Sequence, residues 1–130
     1  MVRREAIENV GTLDEHFFMY FEETDWCYRM AKAGGRVYYC PEAKVVHYGG
    51  GALGHFDERR ILHYHRSLLL FYRKHYSPAD LLGLRCVLIL RSLVRILTWT
   101  LAGAAKPALR TSAVSGVRGY AKALGVVIRG

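Results

Sequence analysis

The segment "FFMYFEETDWCYRMAKAGGRVYYCPEAKVVHYGG", residues 17–50, places acidic side chains directly beside aromatic ones. Its three neighbouring carboxylates are Glu22, Glu23 and Asp25. Acidic residues usually lie on the wetted surface of a protein, whereas aromatic residues fill cores or line pockets. A carboxylate close to aromatic walls is partly desolvated, which prepares it for proton transfer. The segment therefore predicts a cleft that is suited to acid–base chemistry.

Charge is divided unevenly along the chain. The 130 residues are enough for one domain with a modest core, and the 52% hydrophobic content excludes a disordered chain. Residues 1–58 carry six Lys/Arg and ten Asp/Glu, giving −4, whereas residues 59–130 carry thirteen Lys/Arg and one acid, giving +12. This asymmetry indicates an anionic partner for the basic half, either nucleic acid or a membrane surface.

The three cysteines and the N-terminus give expectations about the compartment. Cys27, Cys40 and Cys86 are odd in number and widely spaced, which is typical of reduced thiols in the cytoplasm and not of a disulfide framework or a zinc site. The opening "MVRREAIENVG" has no apolar core of the kind a signal peptide needs. Because an ordered element begins almost at Met1, we expect a chain cut inside a larger domain.

Local patterns predict both helices and strands. Helices are expected from Arg4 to Val10 and from Glu22 to Ala33, and in the second one Asp25 and Arg29 stand one turn apart and can pair. The stretches "RVYYC" and "AKVVHY" are expected to be extended, with a strand in the first. A further helix is expected in "ERRILHYHRSLLLFYRKHYS", and Ser77, Pro78 and Asp80 form the start signal of the next.

The stretch from Leu81 to Ala102 is long and mostly apolar, but Arg85, Arg91 and Arg95 argue against a transmembrane helix. On a helical projection these arginines share an arc of about 140° with Asp80, Ser92 and Thr98. The rest of the circumference is almost wholly apolar. This pattern predicts a helix that lies in a membrane interface, and the alternative is an amphipathic helix packed in a protein core.

The stretch "VGTLDEHFFMYFEETDWCYRMAKAGGRVYYCPEAKVVHYGGGA" resembles the C-terminal part of family 2 glycosyltransferases of the rhamnosyltransferase-like, bacterial cell-surface type. The likeness covers Val2 to Gly51, and "RSLLLFYRKHY" continues it to Tyr76. It implies an α/β fold, the acceptor-side half of a GT-A domain at residues 1–76. A basic, amphipathic helical tail at residues 77–130 would follow, associated with the membrane.

The resemblance also implies roles for site residues. Glu23 matches the second acid of the family's pair, the candidate general base of an inverting transfer, and Glu22 is the alternative. Asp25 is either a further catalytic candidate or only the partner of Arg29. Trp26 is a candidate for stacking on the acceptor sugar, and His47 for binding a divalent metal, Mg or Mn. The acids could also simply complement the N-terminus of a helix.

The implied partners are a nucleotide-sugar donor, a glycan or lipid-linked acceptor and an anionic membrane surface, at the cytoplasmic face of a bacterial inner membrane. In the family, the donor-binding strands and the Asp-x-Asp metal motif belong to an N-terminal half that this chain does not contain. We therefore expect no sugar transfer by the isolated chain. One competing hypothesis is a non-catalytic membrane-binding remnant. The other, a nucleic-acid binder, is disfavoured by the acidic first half and the leucine-rich setting of the basic residues.

Overall fold

The computed structural model describes residues 1–46 and 58–129, which belong to two compact units, Met1–Gly49 and Gly50–Gly130. The first unit contains two helices, α1 (Arg4–Val10) and α2 (Glu22–Lys32). The second unit contains α3 (Glu58–His75), α4 (Pro78–Ala105), a short 3-10 helix (Pro107–Leu109) and α5 (Arg110–Arg129). The resemblance predicts a domain boundary after residue 76. Helix α3 lies before that boundary, yet it packs against α5, which lies after it.

The expectation of an α/β fold, the half of a GT-A domain, is wrong for the part of the chain that the structure describes. Of those residues 74% are helical, and none lies in a strand or sheet. The stretch "RVYYC" and the described part of "AKVVHY", residues 43–46, are irregular, and Tyr38 and Tyr39 are 76% and 90% exposed. A strand is stabilised by hydrogen bonds to a neighbouring strand, and the described residues offer this segment none. Alternating apolar residues alone do not form a sheet.

Within the first unit, both predicted helices are confirmed. Helix α1 has the predicted bounds, and Gly11, at φ 78°, ends it, a left-handed conformation that glycine adopts without strain. Helix α2 begins at Glu22, as predicted, and ends at Lys32, one residue earlier than expected. Gly34 follows at φ 84°. Acidic residues fill the first turn of α2, where they interact favourably with the helix dipole.

The second unit is built from three helices, with α5 packed against both α3 and α4. The predicted start of α4 is confirmed as a capping box. The Asp80 amide donates to Ser77 Oγ at 3.2 Å, and the Ser77 amide and hydroxyl donate to Asp80 Oδ2 at 3.1 and 2.7 Å. These hydrogen bonds lower the pKa of Asp80. The buried apolar residues of this unit are Leu68, Leu69, Phe71, Leu88, Ala113, Tyr120, Ala123 and Val127.

Glycines on the inner faces of α4 and α5 let these helices and α3 approach closely. A Cβ atom on Gly116 would lie 2.9 Å from the ring of Trp99, and one on Gly103 would lie 2.7 Å from the Ala113 Cβ. A Cβ on Gly119 would lie 2.7 Å from Ile61 Cδ1. Such distances are shorter than van der Waals contact, so the packing of this unit depends on the absence of these side-chain atoms.

Replacing Gly116 by alanine should therefore destabilise the second unit by about 1–3 kcal/mol, because Trp99 or the helix backbone must move. Gly83→Ala on α4 is the matched control, since nothing lies within 4 Å of the added methyl group. That change should be neutral or stabilise by up to about 1 kcal/mol, because alanine is the better helix former. Denaturant unfolding monitored by circular dichroism would measure both, and equal effects of the two substitutions would contradict the close packing.

Candidate functional site

The acidic site lies at the N-terminus of α2, directly after an unusual backbone turn. Tyr20 and Phe21 both adopt φ 67°, a left-handed conformation that is rare for bulky residues. Each such residue stores about 1–3 kcal/mol of strain, which persists only where the surroundings impose the conformation. Phe17, in the chain before this turn, is buried. The turn thus fixes where the first residues of α2 stand.

The two glutamates at this helix start are in different surroundings. Glu23 is exposed, and the Thr24 hydroxyl donates to its Oε1 at 3.3 Å. Glu22 is half-buried, and its Oε2 is buried with no hydrogen-bond partner among the described residues. A buried carboxylate oxygen without a donor is unfavourable. Of the two carboxylates, Glu23 is the more exposed.

Asp25 is fully buried and forms the predicted pair with Arg29, whose Nε donates to Asp25 Oδ2 at 2.8 Å. The same guanidinium also donates through Nη1 to the Val10 carbonyl and through Nη2 to the Thr12 carbonyl, the latter at 2.7 Å. Arg29 therefore ties α2 to the end of α1 and the turn after it. This geometry supports the structural role for Asp25 over the catalytic one.

Trp26 strengthens the same connection. Its Nε1 donates to the Gly11 carbonyl at 2.8 Å, and the residue is half-buried. Sequence reasoning found the pairing of Asp25 with Arg29 but missed the three backbone carbonyls that α2 binds. The sequence signal for them was Gly11, which ends α1 and so leaves the last carbonyl groups of that helix without partners inside it. Stacking of Trp26 on a sugar stays a prediction.

The metal expectation rests on His47, which lies outside the described residues. Within residues 1–46 and 58–129, no group of three or more His, Cys, Asp or Glu side chains is arranged to hold a metal ion. The assignment of His47 as a metal ligand stays a prediction.

His65, on α3, is a buried histidine. It is 1% exposed, and its Nδ1 donates to the Ile61 carbonyl at 2.7 Å. Its Nε2 is buried and has no hydrogen-bond partner in the part of the chain that the structure describes. Its ring makes edge contacts with Tyr64 and with Tyr120 on α5. Burial lowers the pKa of His65 below 6.5, the nearby Arg91 lowers it further, and the bond to Ile61 opposes both.

This shift predicts acid sensitivity. Because the lowered pKa belongs to the folded state, the unfolded chain binds more protons, so stability is full above 6.5 and is lost as the pH falls below that value. His65→Leu should flatten this part of the curve of unfolding free energy against pH. His63→Leu, which removes a half-buried histidine from the same helix, is the control. Urea unfolding at a series of pH values measures this, and equal flattening by both variants would contradict it.

Helix α4 packs through one face and leaves an apolar face open. Leu88 and Ser92 are buried, so Ser92, expected on the polar outer arc, instead faces the interior and donates to the Leu88 carbonyl at 2.7 Å. The opposite face carries seven large apolar side chains that are 49–65% exposed: Leu82, Val87, Leu90, Leu93, Val94, Leu97 and Leu101. An exposed apolar face of this extent is typical of an interaction surface. No described helix combines the length and apolar character needed to cross a membrane.

The comparisons with known proteins identify relatives by sequence only. No family model matches the chain, and no solved structure does. The chain is 35% identical over 77 residues to N-acetylglucosaminyl-diphospho-decaprenol L-rhamnosyltransferase of Mycobacterium tuberculosis, which is 59% of this chain and 25% of that protein. It is 40% identical over 47 residues to the dTDP-rhamnosyl transferase RfbF of Shigella flexneri, covering 36% of this chain and 16% of that protein.

A third relative is the rhamnosyltransferase WbbL of Escherichia coli, 36% identical over 59 residues, which is 45% of this chain and 20% of that protein. The chain thus spans a quarter or less of the length of these three curated relatives. The resemblance to rhamnosyltransferases noted in the sequence is therefore supported by curated proteins. The chain is related in sequence to a segment of glycosyltransferases that are named for rhamnosyl transfer.

Proposed function

We propose that this chain is the acceptor-side segment of an inverting glycosyltransferase of family 2, in which Glu23 is the general base. The observation that carries the proposal is the start of α2. It presents an exposed Glu23 on a helix that Asp25 and Arg29 fasten in place. The sequence identity of 35–40% to segments of rhamnosyltransferases supports glycosyl transfer as the class of reaction.

An inverting transfer requires a base that takes the proton of the acceptor hydroxyl. In an inverting transfer, the acceptor hydroxyl attacks the anomeric carbon of the donor sugar while it loses its proton, and the nucleoside diphosphate leaves from the opposite face. An exposed carboxylate can accept that proton, and the ion pair beneath it limits the movement of α2. A base held in one place avoids the loss of rate that misplacement by about 1 Å causes.

The proposed substrates are a nucleotide-sugar and a glycan or lipid-linked acceptor, and the proposed site of action is the cytoplasmic face of a bacterial inner membrane. The relatives' names support both substrate classes, since one names a dTDP-sugar and another a diphospho-decaprenol. We expect residues outside the matched segment to complete the donor-binding site, because that segment is only 25% of the mycobacterial relative.

A chimeric enzyme tests the proposal. The 77-residue segment of the mycobacterial relative that matches this chain would be replaced by the corresponding residues of this chain. Rhamnosyl transfer by the chimera is the expected result, and the matched control is the same chimera with Glu23→Gln. A chimera that is folded by circular dichroism and binds the nucleotide-sugar, yet transfers nothing, would contradict the proposal.

We also propose that the exposed face of α4 rests on an anionic membrane surface. Arg91 and Arg95 are exposed residues of the same helix, and the Arg91 guanidinium lies 5.5 Å from the centroid of the Tyr64 ring on α3. Arginines of this kind suit an interfacial helix, in which cations lie near the headgroups. The whole basic half, at +12, adds attraction over a longer range.

Vesicle binding should therefore weaken when these arginines are reversed. Arg91→Glu with Arg95→Glu should reduce binding to vesicles that contain phosphatidylglycerol by about tenfold or more, since each basic residue near such a surface contributes about 1 kcal/mol. The control variant, Arg66→Glu with Arg129→Glu, makes the same change in net charge at exposed positions away from α4. Sedimentation with vesicles measures both, and equal losses would show that only net charge matters.

A further inference from the structure

A groove between α4 and α5 joins an apolar cavity to a polar recess. The cavity has a volume of about 420 Å³; its apolar surface is formed by Trp99, Gly103, Ala113 and Val117, and Arg110 and Arg118 also line it. It exists where the α4 and α5 helices are held close by the contact between Gly103 and Ala113. The volume lies within the range of about 300–1,000 Å³ that is usual for small-molecule sites.

The polar recess lies next to this cavity and shares residues with it. The recess, of about 580 Å³, is lined by the same Arg110 and Arg118 together with the hydroxyl-bearing Thr111 and Ser115. Its acid, Glu58, is engaged with Lys122, whose Nζ donates to Glu58 Oε1 at 2.7 Å. The two arginines therefore stand at the junction between an apolar space and a polar one.

Both arginines are available for a ligand. Arg110 and Arg118 are exposed, and within residues 1–46 and 58–129 neither forms an ion pair or a side-chain hydrogen bond. Arg110 begins α5, whose N-terminal backbone amides carry partial positive charge, and the first turn of α5 holds no acidic residue. Guanidinium groups bind phosphate oxygens with strong, charge-assisted hydrogen bonds.

We propose that this groove binds a single phosphate-bearing lipid, with the acyl chain in the apolar cavity and the phosphate held by Arg110 and Arg118. The occupant must be amphiphilic, because a free phosphate would leave the cavity of Trp99, Gly103 and Val117 empty, and a purely apolar molecule would leave both guanidinium groups unused. A lipid is the expected amphiphile because the exposed apolar face of α4 is proposed to rest on a membrane, where lipids are at hand. The inference goes beyond the proposed function and does not depend on sugar transfer.

Quenching of Trp99 fluorescence tests whether an acyl chain occupies the apolar cavity. The full chain with Trp26→Phe retains Trp99 as its single tryptophan. Dodecyl phosphate that carries bromine on its chain, kept below its micelle concentration, should quench Trp99. The same brominated chain on a phosphocholine headgroup should need a concentration about tenfold or more higher, because the bonds of a phosphate monoester to two guanidinium groups are stronger. Inorganic phosphate at the same concentration should not displace the lipid.

Three variants locate the lipid. Arg110→Gln with Arg118→Gln should remove the preference for the phosphate headgroup, whereas Arg91→Gln with Arg95→Gln, which loses the same charge on α4, should retain it. Val114→Phe, at a half-exposed position in the lining, should fill the groove and abolish quenching without disturbing the core.

Each opposite outcome overturns the proposal. Equal effects of the two arginine pairs would mean attraction by net charge alone. Full quenching in Val114→Phe would mean that the acyl chain does not occupy the groove that the phenylalanine fills. Displacement by inorganic phosphate at equal concentration would identify a simple anion site.

Discussion

Glu23→Gln, in the active chimera described above, is expected to lower turnover by about 10²–10⁴-fold, the usual effect of removing a general base. Donor affinity should change little. The amide retains the size and the hydrogen-bonding capacity of the side chain but cannot accept the proton of the acceptor hydroxyl. The loss therefore falls on the transition state, so kcat and kcat/KM should fall together. Steady-state kinetics with a radiolabelled nucleotide-sugar measures both.

Glu22→Gln and Asp25→Asn are the matched controls for this experiment. Glu22→Gln should reduce turnover less, because one oxygen of that carboxylate is buried and turned away from solvent. Asp25→Asn should act mainly through stability, since the carboxylate is buried against Arg29. If Glu23→Gln kept near-normal turnover while Glu22→Gln abolished it in a folded protein, the base would be Glu22.

The ion pair within α2 was predictable because its signals are local in sequence. The spacing of Asp25 and Arg29 predicts a pair one helical turn apart, and the structure contains that pair. The capping box at Ser77 is likewise set by neighbouring residues and is confirmed. Helix starts and side-chain pairs of this kind depend on a few adjacent positions, so a single sequence carries the information.

The prediction of strands was wrong because strand pairing is a contact between distant segments, which a local pattern does not report. The apolar pattern of "RVYYC" and "AKVVHY" favours extended backbone, but the described residues provide no partner strand. The burial of Ser92 was equally out of reach. Which face of a helix is buried depends on the packing of α3 and α5, and the Arg-rich pattern of α4 indicated the wrong side for Ser92.

The second large effect is expected from Arg29→Met, which should destabilise the first unit by about 3–5 kcal/mol. The substitution removes the cation from a fully buried carboxylate and the donors from the carbonyls of Val10 and Thr12. A unit that spans Met1–Gly49 has a total stability of only a few kcal/mol, at about 0.05–0.15 kcal/mol per residue. We therefore expect α1 and α2 to unfold in this variant.

Hydrogen–deuterium exchange read by mass spectrometry resolves this effect by segment. Peptides from α2 should lose protection in Arg29→Met, whereas peptides from α3 and α5, which belong to the other compact unit, should keep theirs. Lys32→Met makes the same substitution at an exposed position of α2, where the ammonium lies over the Tyr28 ring at 4.8 Å. It should have a small effect, about 0.5–1 kcal/mol.

Arg29→Lys separates the two contributions of the guanidinium. A lysine retains the positive charge beside Asp25, but its single ammonium group cannot reproduce the planar fork that also binds the Val10 and Thr12 carbonyls. Protection of α2 should therefore be intermediate between the wild type and Arg29→Met. If Arg29→Met exchanged no faster than Lys32→Met, the ion pair would not be what holds α2, and the fixed position of Glu23 would need another cause.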